Sequence, residues 1–104
     1  MNKSISIIIP TWNEEKNVAL LVKRLHQALN QEQITYELIF IDDNSTDRTI
    51  ASLSILKDQY PISIHTKEGQ KGKAQSLLEG FNKAKYDQIA MIDADLQYPP
   101  EAIP

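Results

Sequence analysis

The stretch from Ser4 to Leu29, SISIIIPTWNEEKNVALLVKRLHQAL, decides the fold. Its opening, Ser4 to Ile9, is rich in β-branched apolar residues and stops at Pro10, as a buried strand does. Asn13 then offers a helix N-cap, and Glu14 and Glu15 suit the positive end of a helix dipole. Val18, Leu21, Val22, Leu25, Ala28 and Leu29 follow at spacings that share one helical face. A strand passing straight into an amphipathic helix is the repeating unit of layered α/β domains.

The unit recurs along the chain. Glu37 to Ile41 predicts a second strand, followed by the polar run Asp42-Asp43-Asn44-Ser45-Thr46. A helix is expected from Asp47 to about Gln59, with Ile50, Leu53 and Leu56 turned inward, until Pro61 stops it. Ile62 to His65 reads as a third strand and Lys67 to Gly72 as a loop. A third helix presents Ala74, Leu77, Leu78, Phe81 and Ala84 on the face expected to be buried. Gln88 to Ile92 predicts a fourth strand, ending in Asp93-Ala94-Asp95. The order βαβαβαβ, with helical crossovers, implies a doubly wound, Rossmann-like parallel sheet in one domain spanning residues 1–104.

Bulk properties narrow the function. The 104 residues are 41% hydrophobic and 24% charged, with a net charge of −3 and no cysteine. That composition suits a soluble globular domain and removes disulfides and thiolate metal sites. No stripe of Lys and Arg marks a nucleic-acid binder. The longest apolar run is far too short to span a bilayer, and the start lacks a signal-peptide pattern. A cytoplasmic location is expected, with membrane association arising only through sequence absent from this chain.

Ligands of open parallel sheets bind at the carboxyl ends of the strands, beside the switch in strand order. The polar residues here fall at such ends: Pro10 to Glu14, Asp42 with Asp43, and Asp93 with Asp95. Three strands thus deliver carboxylates to one rim. If the fourth strand continues through Asp93 and Asp95, their carboxylates share a face about 6 to 7 Å apart. Their repulsion would then be about 2 to 3 kcal/mol at an effective dielectric near 20. Solvation or a cation relieves it, and hard oxygen ligands favour Mg²⁺ or Mn²⁺. The plain alternative is a solvated acidic turn. Asp42 and Asp43 divide similarly between helix capping and ligand recognition, and one of the pair can do each.

Trp12 either staples the helix start through core packing or lines a base pocket with Pro10. Lys67, Lys71 and Lys73 surround Gly69 and Gly72 in a basic loop suited to a diphosphate, but no Walker string is present. His26 and His65 lack partners at ligand or triad spacing and receive no role.

Together these motifs resemble family 2 glycosyltransferases. Ile8-Ile9-Pro10-Thr11-Trp12-Asn13-Glu14-Glu15 is similar to the family's opening motif, and Ile41-Asp42-Asp43-Asn44-Ser45-Thr46-Asp47-Arg48-Thr49 to its second. Lys71-Gly72-Lys73-Ala74 with Glu79-Gly80-Phe81 resembles the segment preceding the metal motif. Asp93-Ala94-Asp95-Leu96-Gln97-Tyr98-Pro99-Pro100-Glu101 resembles the version in polyprenyl-phosphate sugar transferases, dolichyl-phosphate mannosyltransferases among them.

The resemblance implies the N-terminal, donor-binding half of a glycosyltransferase A fold. It also implies inverting transfer from a UDP- or GDP-sugar to a polyprenyl phosphate or saccharide acceptor. By the same resemblance, Pro10 and Trp12 would flank the nucleotide and Glu14 would approach its ribose. Asp42 would read the base edge, Lys73 would join the donor contacts, and Asp93 would lie near ribose or metal. Asp95, Gln97 and Asp93 would hold the Mg²⁺ or Mn²⁺. Trp12 replaces the family's Tyr or Phe, which retains stacking but removes a phenol hydroxyl. Any catalytic base is expected beyond Pro104. Competing readings are a non-catalytic nucleotide-binding domain, a receiver-like signalling domain and a nucleotidyltransferase. The last two lack their expected lysine and glycine-rich loop, respectively.

Overall fold

The computed structural model describes residues 3–70 and 72–104, apart from the side chain of Lys73. Its elements are β1 (Lys3–Thr11), α1 (Val18–Gln31), β2 (Ile34–Asp42), α2 (Thr49–Leu56), β3 (Ile62–Thr66), α3 (Lys73–Lys83) and β4 (Ile89–Met91). A 3-10 turn, Pro100–Ala102, closes the list. The four strands form one sheet in the order β3-β2-β1-β4, with every pairing parallel. The chain therefore builds outward from β1 to β3, then returns to place β4 on the other side of β1. That reversal is the switch point of a doubly wound sheet.

Side-chain alternation along the strands makes two unequal layers. Ile7, Ile9, Leu38 and Phe40 face α1 and α2 and join Leu21, Leu25, Leu29 and Leu53 in the main core. Ile8, Ile39 and Ile41 face the opposite way, with Ala84 and Ile89 packed against them. At about 25 cal/mol per Å² of buried apolar area, the first layer supplies most of the stabilisation.

Three local expectations change. Asn13 is not the cap of α1, which begins at Val18. Asn13 instead adopts positive φ (53°), a conformation its short polar side chain tolerates. Ile50 is exposed, whereas Thr49, Leu53 and Leu56 form the buried face of α2.

Helix α3 is turned differently from its expected bulky face. Leu77, Leu78 and Phe81 are exposed, and Ser76 and Gly80 are buried. A methyl group at Gly80 would stand 2.5 Å from Cγ2 of Ile8, so the helix lies too close to β1 for a side chain there. Small residues thus win the inward position by permitting close approach. Among the described residues, no helix is long and apolar enough to cross a membrane.

Candidate functional site

A cleft of about 340 Å³ opens at the switch point. Pro10, Thr11, Trp12 and Glu14 enter it from the end of β1, and Asp93, Ala94 and Asp95 from beyond β4. Asp43 contributes from the end of β2, Lys67 from the end of β3, and Gly72 and Ser76 from the start of α3. Sequence-distant strand tips thus meet where parallel-sheet topology predicts a ligand.

Five of the expected site residues converge here: Pro10, Trp12, Glu14, Asp93 and Asp95. Trp12 is 58% exposed, so it forms a wall of the cleft and not a core staple. Asp93 also borders an adjoining groove with Met91, Tyr98 and Ile103.

Asp42 does not reach the cleft. It is 2% exposed and accepts hydrogen bonds from Thr11 Oγ1 (2.7 Å), Ser45 N (2.8 Å) and Ser45 Oγ (2.6 Å). The cause is strand parity. Leu38 and Phe40 point into the α1–α2 layer, and Asp42 continues that alternation. Asp43, one step later, lines the cleft instead. The pair divides between structure and surface.

Gln97 is exposed and absent from the cleft lining. Its backbone N–H donates to Asp95 Oδ1 at 3.1 Å. The strand does not extend through this segment, because β4 ends at Met91 and Leu96 adopts φ of 65°. A turn, not strand alternation, brings Asp93 and Asp95 to the rim. Lys71 and the side chain of Lys73, the latter an expected donor contact, lie outside the described residues.

The loops after β1 and β2 are fastened to each other. Asn13 Oδ1 accepts from Thr46 N (2.7 Å), and Asn13 N donates to Ser45 Oγ (2.9 Å). Glu14 N donates to Thr49 Oγ1 (2.8 Å), and Glu15 N to Asp47 Oδ2 (3.2 Å). Desolvation alone would raise the Asp47 pKa. Hydrogen bonds from Thr49 Oγ1, Thr49 N and Glu15 N outweigh it and hold that carboxyl below its usual range. This bracing sets where Trp12 and Glu14 stand.

Lys67 is the lining residue that loop reading left undistinguished. It is 7% exposed, and its Nζ donates to Gly72 O at 2.7 Å. The signal for it was position, directly after the third strand. Across the loop, Glu79 accepts from Glu68 N (2.8 Å), Gly69 N (3.0 Å) and Gln75 Nε2 (2.8 Å). Those bonds keep the Glu79 carboxyl below its ordinary pKa.

The described lining carries the carboxylates Glu14, Asp43, Asp93 and Asp95 against the ammonium of Lys67. Such a cleft repels a lone anion and attracts a cation. Among the described residues, no group of three or more His, Cys, Asp or Glu is arranged to hold a metal ion. An ion here would draw on one or two carboxylates, with its other ligands coming from substrate and water, the usual mode for Mg²⁺.

This parallel fold places an acidic cleft at its switch point, where open α/β sheets hold their ligands. The chain belongs to glycosyl transferase family 2, whose pattern matches residues 6–104. It is 39% identical over 100 residues to a dolichol-phosphate mannosyltransferase of Pyrococcus furiosus, covering 96% of this chain and 28% of that protein. An undecaprenyl-phosphate 4-deoxy-4-formamido-L-arabinose transferase of Proteus mirabilis is 36% identical over 103 residues, covering 96% and 31%. The chain thus spans less than a third of these relatives' length. Its fold matches a mannosyltransferase from Pyrobaculum calidifontis, solved with GDP-Man and Mn²⁺, at a TM-score of 0.76 and 21% identity. That match covers 93% of this chain and 29% of the other.

Proposed function

We propose that this chain is the donor-binding part of an inverting, metal-dependent glycosyltransferase that moves a sugar from a UDP- or GDP-sugar to a polyprenyl phosphate. The observation that carries the reading is the acidic cleft at the switch point. An anionic diphosphate would enter it poorly alone and well with a divalent cation. The relatives named for dolichol phosphate and undecaprenyl phosphate support a lipid-phosphate acceptor.

In this reading the exposed ring of Trp12 and Pro10 flank the nucleotide, and Asp43, rather than the inward Asp42, meets the base edge. Glu14 stands beside the ribose. Lys67, held at Gly72 O, and the start of α3 face the diphosphate side. Asp95 and Asp93 supply the oxygen donors for Mg²⁺ or Mn²⁺, an ion that stabilises a departing nucleoside diphosphate when bound. Gln97 enters this set only if its side chain turns toward the ion. The acceptor phosphate oxygen is already ionised, so it attacks the anomeric carbon with little need of a general base.

Calorimetric titration with GDP and UDP, with and without Mn²⁺, tests this on the intact chain and on Asp95→Ala. One nucleotide should bind more tightly with Mn²⁺, and Asp95→Ala should reduce that gain by at least about tenfold, the loss even outer-shell partners of a metal cause. Equal, metal-independent binding by both proteins rejects Asp95 as the cation ligand.

A further inference from the structure

The turn that carries Asp95 is conformationally costly. Leu96 sits in the left-handed region at φ 65°, where a non-glycine residue persists only if its surroundings hold it. Two contacts hold this segment. Leu96 packs against the main core, and five residues later Glu101 receives both ends of an arginine fork. Arg24 Nε donates to Glu101 Oε2 at 2.8 Å and Nη2 to Oε1 at 2.5 Å. Pro100 is buried and Ile103 packs on the same core, so the 3-10 turn is seated on α1. Arg24 itself does not line the cleft.

We propose that Arg24 is a positioning residue for Asp95: through Glu101 it holds the turn of residues 95–97 in the strained form that presents the carboxylate to the cleft. The inference rests on the donor-binding reading for its consequence in ion binding, but the restraint on the turn stands on geometry alone. An exposed ion pair adds little to global stability. A bidentate fork nevertheless fixes orientation, which a point charge does not. The expected signature is a local loosening without a global one.

The test uses the full chain with Arg24→Gln, Arg24→Lys and Glu101→Gln. Amide hydrogen exchange is followed by NMR without ligand, and GDP or UDP titrations are run with and without Mn²⁺. Arg24→Gln and Glu101→Gln should each speed exchange at Gln97 by about two- to fivefold, the range an exposed pair supports. They should weaken the Mn²⁺-dependent part of nucleotide binding by a similar factor and leave metal-free binding unchanged. Arg24→Lys should recover part of both. Unchanged exchange at Gln97 in both Arg24→Gln and Glu101→Gln overturns the proposal. Faster exchange in a chain whose wild type gains nothing from Mn²⁺ supports the restraint and defeats the donor-binding reading instead.

Discussion

The acidic loops after β2 and after β4 contain similar residues used differently: two of the three aspartates after β2 brace the scaffold and Asp43 joins the cleft, whereas both aspartates after β4 line the cleft. After β2, Asp42 accepts three hydrogen bonds from Thr11 and Ser45, and Asp47 accepts from Thr49 and Glu15. Those carboxylates are joints of the scaffold. After β4, Asp95 is exposed and accepts a local bond from Gln97 N, while it faces the cleft with Asp93. The difference teaches that an aspartate near a strand tip is structural or ligand-facing according to how the local backbone aims it: strand parity turns Asp42 inward, whereas a turn brings Asp95 to the rim.

The sharpest way to break this contrast is Asp42→Ala. It would leave the Thr11 hydroxyl and the Ser45 N–H and hydroxyl without their buried acceptor, at a cost of about 3 kcal/mol. Urea unfolding should show a lower midpoint with an unchanged slope. A loss below about 1 kcal/mol would remove Asp42 from the scaffold.

A smaller effect is expected from acid. Asp47, Glu79 and Glu101 all titrate below their ordinary values, so the native state binds fewer protons than the unfolded chain near pH 4. Their contribution is present above the unfolded carboxylate pKa and is lost as pH falls through the lower native values. The fall in urea midpoint between pH 6 and pH 3 should shrink in Asp47→Asn. An identical fall in wild type and variant would contradict the bracing assigned to that carboxylate.

The smallest effect belongs to the other loop. Asp95→Ala should change unfolding stability by no more than about 0.5 kcal/mol, as at other exposed positions. A larger loss would show that this aspartate is also a joint, and the two loops would no longer differ in kind.

What could be read from the residues follows the same physics. Ser4 to Ile9 and Glu37 to Ile41 announced strands because apolar β-branched runs have few other uses, and the α1 face was clear from its spacing. The convergence of Pro10, Trp12, Glu14, Asp93 and Asp95 followed from the rule about strand tips. The inward face of α3 was misread, since periodicity favours bulky Leu77, Leu78 and Phe81, whereas Gly80 is buried because it leaves room for Ile8. The choice between Asp42 and Asp43 required knowing where β2 ends and which layer Phe40 enters. Asn13 looked like a cap because it precedes Glu14, Glu15 and the periodic face of α1, whereas its bonds to Thr46 and Ser45 join segments that only tertiary structure brings together. Leu96 gave no sign of its left-handed backbone, since leucine seldom adopts one.

The pairing of β1 with β4 orders events in time. Ser6 pairs with Glu37 on one side and, only after three helices have intervened, with Ile89 on the other. During synthesis the β1–β2–β3 portion can assemble while one edge of β1 still waits for its last neighbour, a long-range closure that is slow to form. The wall bearing Asp93 and Asp95 arrives with β4. A nascent chain would therefore carry Trp12 and Asp43 on a half-built rim until β4 pairs with β1.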